Sequence, residues 1–156
     1  MNFEPDRIGT FGWSGFKKEP VTNYYNITGK IRSGTFAHVY RGINKQDGIT
    51  YAIKQIPKTN SQESLEVEVK ILSESDHPNI INLWDKLEDA RNWYIVMQEC
   101  TGGDLFDHIQ SEGPFSDSMA RSIFEQIAKA VKYLHSRNIC HRDVKLENVL
   151  LETRNP

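Results

Sequence analysis

The spacing of apolar residues divides the chain into two parts near residue 100. Before that point, short segments such as FAHVYRGIN and TYAIKQIP alternate apolar and polar positions or are rich in β-branched residues, which is typical of half-buried strands. Polar turns at Ser33-Gly34, Asp47-Gly48 and Asp89–Asn92 separate these segments, and Asp-Gly is a strong hairpin signal. The pattern predicts a five-stranded antiparallel sheet.

One helix is predicted within this series of strands. In NSQESLEVEVKILSES, the residues Leu65, Val69 and Leu72 recur at helical spacing. Asn60 is followed three residues later by Glu63, which resembles a capping box, so we expect Asn60 to cap this helix. The sequence HPN that follows should end it.

After Gly102-Gly103 the apolar spacing becomes helical. DLFDHIQS predicts a short helix, and a long helix should begin after the cap Ser116, with the acidic Asp117 suited to its first turn. VLL at residues 149–151 predicts a short buried strand. The long helix has a predicted apolar stripe that consists of Ala120, Phe124, Ile127, Ala128, Val131 and Leu134.

These elements predict an α+β fold. We expect residues 1–23 to be an irregular extension, residues 24–100 to form a lobe with the sheet and one helix, and residues 101–156 to begin a mainly helical lobe. Gly102-Gly103 marks the hinge between the two lobes.

Composition and charge restrict the classes of function. The 156 residues carry a net charge of −2, which argues against a general nucleic-acid binder. No apolar run approaches the length of a membrane span, and the N-terminus shows neither a signal-peptide pattern nor a myristoylation site. We interpret Cys100 and Cys140 as reduced thiols of an intracellular protein, and a single disulfide is the alternative. The expected location is the cytoplasm, with the nucleus as a further location.

Two segments of the first lobe have phosphate-binding character. The glycine turn in IRSGTFAHV would let backbone N–H groups approach phosphate oxygens, although an ordinary hairpin has the same sequence features. Lys54 lies on the second strand beyond this turn, where a carboxylate of the following helix, Glu66 or Glu68, could hold its ammonium toward a phosphate. The alternatives are a surface lysine and a solvated helix face.

The sequence HRDVKLEN, residues 141–148, is more specific. Asp143, Lys145 and Asn148 supply a carboxylate, an ammonium group and an amide in one short loop between a helix and a strand. Phosphoryl transfer needs a group that accepts a hydroxyl proton, a cation for the phosphate and a metal ligand. A hydrolytic metal site of His135, His141, Asp143 and Cys140 is the alternative, but these residues lack the His-x-x-x-His spacing of zinc hydrolases. We interpret His135 as a helix-end residue.

The order of these motifs, from about Tyr25 to Leu151, resembles a eukaryotic protein kinase of the serine/threonine type. The resemblance implies a protein-kinase-like fold, ATP and Mg²⁺ as cofactors, and a protein substrate. It implies that Asp143 is the catalytic base, that Lys145 contacts the phosphate and that Asn148 binds magnesium. The implied nucleotide-binding residues are the glycine-rich loop Ile31, Arg32, Ser33, Gly34, Thr35, Phe36, Ala37, His38 and Val39, the ion pair Lys54 and Glu68, the adenine sandwich Ala52 and Leu150, the gatekeeper Met97, the hinge residues Gln98 and Cys100, and Asp104.

The phrases HPNIINL, ECTGGDLFDHI and NICHRDVKLENVLL are most similar to the calcium/calmodulin-dependent group, including its calcium-dependent members. Asp104 and Glu147 resemble acidic positions that favour a basic residue upstream of the phosphorylated one. A regulatory protein partner is compatible with this resemblance. Calcium control cannot be checked from the sequence, because the chain has no EF-hand loop.

The chain departs from the family pattern in its glycine-rich loop, at Leu146, which replaces a common proline, and in a missing motif. Arg32 and Ala37 occupy the first and third glycine positions of the loop, and a side chain at Arg32 would either obstruct the phosphates or add a positive charge to them. The Asp-Phe-Gly motif, which supplies a principal magnesium ligand, does not occur in the 156 residues. From the resemblance we expect a C-terminally truncated kinase domain that is inactive as this fragment, with Arg142 lacking its usual partner segment and the long helix exposing apolar surface. The alternative is a non-catalytic, pseudokinase-like module that binds a nucleotide or a partner.

Overall fold

The computed structural model describes residues 15–153, and the chain forms two compact units. The first unit contains residues up to Ser75 together with Ile81–Glu99, and the second contains Asp76–Ile80 together with the residues from Cys100 onward. No helix in the described part of the chain is long and apolar enough to cross a membrane.

The first unit is built on a five-stranded sheet. Its strands, numbered along the chain, are β1 (Tyr25–Ser33), β2 (His38–Asn44), β3 (Thr50–Pro57), β4 (Leu83–Glu88) and β5 (Asn92–Gln98). They lie in the order β1-β2-β3-β5-β4, and every neighbouring pair is antiparallel. The predicted five-stranded antiparallel sheet is confirmed.

The helix of the first unit, α1, spans Gln62–Glu74. Its cap is Ser61, whose Oγ accepts a hydrogen bond from the Ser64 N–H, and not Asn60 as the sequence suggested. Asn60 belongs to the preceding turn, where its N–H donates to the Pro57 carbonyl. An Ncap side chain reaches the N–H three residues further on, so the cap lies one residue later than predicted.

Alternating residues of the sheet form two apolar clusters, one on each face. The helix-side cluster is the one that includes α1, and the far-side cluster covers the opposite face. The helix-side cluster consists of Ile56, Leu65, Val69, Trp93 and Ile95. The far-side cluster consists of Val21, Tyr25, Tyr51, Ile53, Leu87, Tyr94 and Val96. Consecutive residues of β5 enter opposite clusters, as the two-residue period of a strand requires.

The second unit contains two helices and a small sheet. Helix α2 spans Leu105–Glu112 and helix α3 spans Asp117–Ser136. Strands β6 (Gly103–Asp104) and β7 (Leu150–Leu151) pair antiparallel. As predicted, Ser116 caps α3 through a hydrogen bond from the Met119 N–H to its Oγ, and His135 lies in the last turn.

The segment Asp76–Ile80 packs on α3. The Asp76 N–H donates to the Tyr133 hydroxyl at 2.8 Å, and the Asn79 side-chain amide donates to Gln126 Oε1 at 2.9 Å. The sequence HPN therefore follows the end of α1, as predicted, and it belongs to the second unit.

The predicted apolar stripe of α3 is wrong in part. Ile123 is buried beside Leu105 and Leu151, and Met119 and Ile127 pack against this cluster. Phe124, which was predicted to lie in the stripe, is 68% exposed. Residues four apart form parallel rows on a helix, and α3 carries two adjacent apolar rows, so the sequence alone does not identify which row faces the core.

The strand after the HRDVKLEN loop was predicted to be buried, but only one of its two residues is. Leu151 is buried, whereas Leu150 is 40% exposed, and Val149 precedes the strand. Opposite this strand the backbone of Gly102 lies so close that a Cβ there would be 2.3 Å from the Thr153 carbonyl oxygen and 2.6 Å from Leu151 Cβ. This close approach explains why a glycine occupies position 102.

Candidate active site

Strand β3 and helix α1 bring a lysine and a glutamate together. Lys54 Nζ lies 2.6 Å from Glu68 Oε1, and both side chains are partly exposed to solvent. Of the two carboxylates considered from the sequence, Glu68 is the partner of Lys54. Glu66 instead accepts a hydrogen bond from the Gln62 side chain. The pair fixes the lysine ammonium on the helix side of the sheet.

The strand register places further predicted residues on the same face as Lys54. Val39 of β2 lies opposite Lys54, and Ala52 of β3 lies opposite Met97 of β5. Directly opposite residues share a face of an antiparallel sheet, and so do residues two apart on one strand. Val39, Ala52, Lys54 and Met97 therefore line one surface of the first unit.

The glycine turn joins β1 to β2 through residues 34–37. The Gly34 N–H donates to the Ala37 carbonyl at 2.9 Å, and a Cβ on Gly34 would lie 3.3 Å from that oxygen. At the base of the turn, Ser33 Oγ and His38 Nδ1 are hydrogen-bonded at 2.8 Å. The turn is therefore tight, and the Gly34 N–H is used within it.

The tip of this turn is also tied to the beginning of α1. The Asn60 side-chain amide donates to the Phe36 carbonyl at 2.8 Å. The local sequence pattern does not predict this contact, because it depends on the approach of two segments more than 20 residues apart. The ring of Phe36 itself is exposed.

A cavity of about 400 Å³ opens between the glycine turn, β3 and α1. Its wall includes the Lys54–Glu68 pair and the hydroxyl-bearing start of α1. The lining residues are Phe36, Ala37, Lys54, Ile56, Asn60, Ser61, Ser64, Leu65 and Glu68. A lysine ammonium beside a glycine turn gives this cavity the groups that bind phosphate oxygens.

Two further contacts fix the end of β5. The Gln98 N–H donates to the Asn82 carbonyl at 3.1 Å, so this N–H is not available to a ligand. Arg41 of β2 forms an ion pair at 2.5 Å with Glu99, whose side chain is almost fully buried. Sequence reasoning did not identify the Arg41–Glu99 pair, because the two residues are 58 positions apart.

In the second unit, two of the predicted residues, Lys145 and Asn148, converge on the carboxylate of a third, Asp143. Asp143 Oδ2 accepts a hydrogen bond from Asn148 Nδ2 at 2.8 Å and lies 3.2 Å from Lys145 Nζ. Asn148 Nδ2 also donates to the Asp143 backbone carbonyl at 2.8 Å. A short 3₁₀ turn over Leu146–Asn148 brings the amide back to the aspartate.

The electrostatics of this loop keep Asp143 ionised. The hydrogen bond from Lys145 and then that from Asn148 hold the pKa of the Asp143 carboxyl below its ordinary value. The backbone before it is unusual, since Arg142 has a φ of 65° and the Asp143 N–H donates to His141 Nδ1 at 3.3 Å. A non-glycine residue in the left-handed region is uncommon and costs conformational energy.

The metal-binding prediction for Asn148 fits the observed hydrogen bonds. Because its amide nitrogen is used by Asp143, the remaining Oδ1 is an oxygen ligand of the kind that Mg²⁺ prefers. Within residues 15–153, no group of three or more His, Cys, Asp or Glu side chains is placed to hold a metal ion.

Cys100, Asp104 and Leu150, three further predicted nucleotide-binding residues, belong to the second unit. Asp104 is 5% exposed, and its side chain caps α2 by accepting a hydrogen bond from the Asp107 N–H at 2.9 Å. The structure thus assigns Asp104 a structural role, and its predicted role in binding stays a prediction. An acidic residue directly before an apolar helical pattern was the available signal for this cap.

Comparison with known proteins agrees with the geometry. The family model of the protein kinase domain matches residues 25–156. The "Probable serine/threonine-protein kinase fhkD" of Dictyostelium discoideum is 41% identical over 140 residues, which is 86% of this chain and 19% of that protein. Calcium-dependent protein kinase 5 of Plasmodium berghei is 45% identical over 123 residues, 78% of this chain and 22% of that protein.

Myosin light chain kinase A of Dictyostelium discoideum is 41% identical over 138 residues, 86% of this chain and 47% of that protein. The chain thus spans 19% to 47% of the length of these relatives. The resemblance inferred from the motifs, including the calcium-dependent subgroup, is confirmed. The chain therefore belongs to the protein kinase family, as a serine/threonine-type member that is similar to calcium-dependent and myosin light chain kinases.

Proposed function

We propose that the protein carrying this chain transfers the γ-phosphate of ATP to a serine or threonine hydroxyl of a protein substrate. The observation that carries the proposal is the convergence of Lys145 and Asn148 on the Asp143 carboxylate. These three groups meet the demands of phosphoryl transfer, which depends on positioning and charge stabilisation more than on covalent chemistry by the protein.

The first unit supplies the phosphate-binding part of this function. Lys54, held by Glu68 at 2.6 Å beside the cavity, binds the α- and β-phosphates of ATP. Val39, Ala52 and Met97 lie on the same face of the sheet and form an apolar surface for the adenine ring. The charge-assisted contact between the Lys54 ammonium and a phosphate oxygen is stronger than a neutral hydrogen bond.

The second unit supplies the groups at the reacting atoms. The pKa of the Asp143 carboxyl lies below its ordinary value, and the group is ionised at neutral pH as an ordinary aspartate is. This carboxylate accepts a hydrogen bond from the substrate hydroxyl and orients it for attack. Lys145 places a positive charge where the transferring phosphoryl group gathers negative charge. Asn148 Oδ1 would hold Mg²⁺, which when bound neutralises charge on the phosphate oxygens.

The isolated 156-residue chain is proposed to bind nucleotide without efficient transfer. No Asp-Phe-Gly sequence occurs in it, and Arg32 and Ala37 stand at two of the loop's glycine positions. Lys54, Glu68 and Asn148 are nevertheless in place. The observation that favours binding without transfer is therefore that Lys54, Glu68 and Asn148 are in place while the Asp-Phe-Gly aspartate does not occur in these 156 residues.

Label transfer from γ-labelled ATP to a serine peptide tests both statements. A longer product, in which an Asp-Phe-Gly motif and the later kinase segments follow these 156 residues, should label the peptide, and Asp143→Asn in that product should reduce the rate by about 10²- to 10⁴-fold. The 156-residue chain should bind ATP but label the peptide slowly. Transfer by the longer product that is unaffected by Asp143→Asn would remove the proposed role of this loop.

The proposed substrate preference is for a basic residue upstream of the phosphorylated one. Because Asp104 is buried and caps α2, the contact with that basic residue is assigned to Glu147, which lies in the 3₁₀ turn of the loop. Replacing an upstream arginine of the peptide by alanine should slow labelling. Equal rates for the two peptides would exclude this preference.

A further inference from the structure

The segment Phe16–Tyr24, called the strap below, precedes the part of the chain that the family model matches. It lies along β4, the last strand at one edge of the sheet. The Lys17 N–H donates to the Lys86 carbonyl at 3.0 Å, and the Glu88 N–H donates to the Lys17 carbonyl at 2.8 Å. Lys17 Nζ also forms an ion pair with Asp85 at 3.0 Å. The strap thus adds a short parallel pairing to an otherwise open edge.

The strap has two apolar anchors, which lie on opposite faces of the sheet. Phe16 packs against the helix-side cluster, which contains Leu65 and Val69 of α1. Val21 is buried in the far-side cluster, which contains no residue of α1. The strap therefore crosses the β4 edge, and only its Phe16 end is packed in the cluster that holds the helix.

The position of α1 determines whether Lys54 has its partner. Val69 is 0% exposed, and its neighbour Glu68 is the residue that contacts Lys54. An isolated helix of about 12–15 residues is marginal in water, so tertiary packing supplies most of the stability of such a helix. The 13-residue α1 thus depends on the helix-side cluster, against which Phe16 also packs.

We propose that the strap is a positioning element for α1, and that Phe16 is a positioning residue that acts through Leu65 and Val69 to keep Glu68 in contact with Lys54. The simpler account is that the strap only covers the β4 edge and adds general stability. In that case Phe16 and Val21 are equivalent anchors, whereas the proposal requires them to differ.

Amide hydrogen exchange of the 156-residue chain separates the two accounts without any nucleotide. Phe16→Ala should speed exchange across Gln62–Glu74 more than across the β2–β3 hairpin. Val21→Ala is the matched control, because it shortens the other anchor of the same strap. It should not speed exchange across α1 more than exchange across the β2–β3 hairpin. Equal effects of the two substitutions on α1, relative to the hairpin, would overturn the proposal.

Nucleotide affinity provides the functional readout, and this readout alone rests on the proposed function. If Phe16→Ala lowers the fraction of molecules with the ion pair to about one fifth, the apparent Kd for Mg-ATP rises about fivefold. Val21→Ala should leave the Kd within about twofold. In a Glu68→Gln background, Phe16→Ala should add little, because the pair is already lost.

Phe16→Leu should restore both the exchange of α1 and the affinity, since an apolar side chain again fills the site. Fully additive effects of Phe16→Ala and Glu68→Gln on affinity would contradict action through the ion pair. If the parent chain binds no ATP, the proposed function fails for this chain, and the exchange experiment still decides the role of the strap.

Discussion

The charge of Asp143 is the centre of the loop that identifies this protein. Its carboxylate accepts from Asn148 and lies beside Lys145, and the resulting pKa is below the ordinary aspartate value. Because donors to a carboxylate favour its ionised form, removing the lysine should move the pKa up.

Carboxyl titration by nuclear magnetic resonance measures this effect directly in the isolated chain. In the parent chain Asp143 should titrate below an ordinary aspartate, and Lys145→Met should raise its midpoint. Lys145→Arg keeps a cationic donor and serves as the control. An Asp143 midpoint that Lys145→Met leaves unchanged would show that the contact does not set the charge of the loop.

Gly102 lies in close contact with the backbone of the chain that follows the HRDVKLEN loop. An added Cβ would meet the Thr153 carbonyl at 2.3 Å and Leu151 Cβ at 2.6 Å. Gly102→Ala should therefore lower the free energy of unfolding by about 1–3 kcal/mol, the usual cost of overpacking. Gly29→Ala is the control in urea unfolding, because nothing lies within 4 Å of its added Cβ. Equal stability of the parent and the Gly102 variant would contradict this packing.

At the scale of elements, the turn between β4 and β5 depends on one carboxylate. Asp89 accepts hydrogen bonds from the Arg91 N–H at 2.7 Å, the Asn92 N–H at 2.8 Å and the Tyr94 hydroxyl at 2.7 Å. Burial acts to raise the pKa of Asp89, but these hydrogen bonds outweigh it and the pKa is lowered. Burial, with help from Asp89, raises the pKa of Tyr94 to about 12.

A lowered pKa in the folded state makes the turn sensitive to acid. The stabilisation is present above the unfolded pKa of about 3.9 and is lost as the pH falls through the folded value. At pH 7, Asp89→Asn should lower the free energy of unfolding by about 1–3 kcal/mol, since hydrogen bonds to a charged group are lost. Urea unfolding at a series of pH values should show this difference shrinking below pH 4. A difference that does not change with pH would refute the role of the charge.

The sequence predicts the turns of the fold more reliably than the cap of a helix or the face that a helix buries. Asp47-Gly48 and the other turns predicted the hairpins because turn conformation is a local property. The cap of α1 was placed one residue early, at Asn60 instead of Ser61, because both residue types can cap and only the chain path decides. Likewise, local periodicity gave two rows on α3, and tertiary packing selected the row of Ile123 instead of that of Phe124.

The candidate site shows the same division between local and distant contacts. Asp143, Lys145 and Asn148 lie within six residues, so a short loop was enough to predict their convergence. The Lys54–Glu68 pair came from family resemblance. The Asn60–Phe36 and Arg41–Glu99 contacts and the docking of Phe16 depend on approaches between distant segments, which no local pattern encodes.

At the scale of the whole molecule, each unit holds one part of the machinery proposed for phosphoryl transfer. The first unit carries the Lys54–Glu68 pair beside the cavity, and the second carries the Asp143 loop. The central claim is that the Lys54–Glu68 pair of the first unit recognises the phosphates of a nucleotide. This claim concerns binding, so it can be tested on the 156-residue chain itself.

The most direct measurement compares the affinities of Mg-ATP and adenosine by calorimetry for the parent chain and for Lys54→Met. The parent should bind Mg-ATP more tightly than adenosine. A contact with a charged group contributes about 1.5–3 kcal/mol, so Lys54→Met should weaken Mg-ATP by about 10- to 100-fold. The affinity for adenosine should stay nearly the same. No saturable binding of Mg-ATP to the parent, or equal affinities of the parent and the variant for Mg-ATP, would contradict the account.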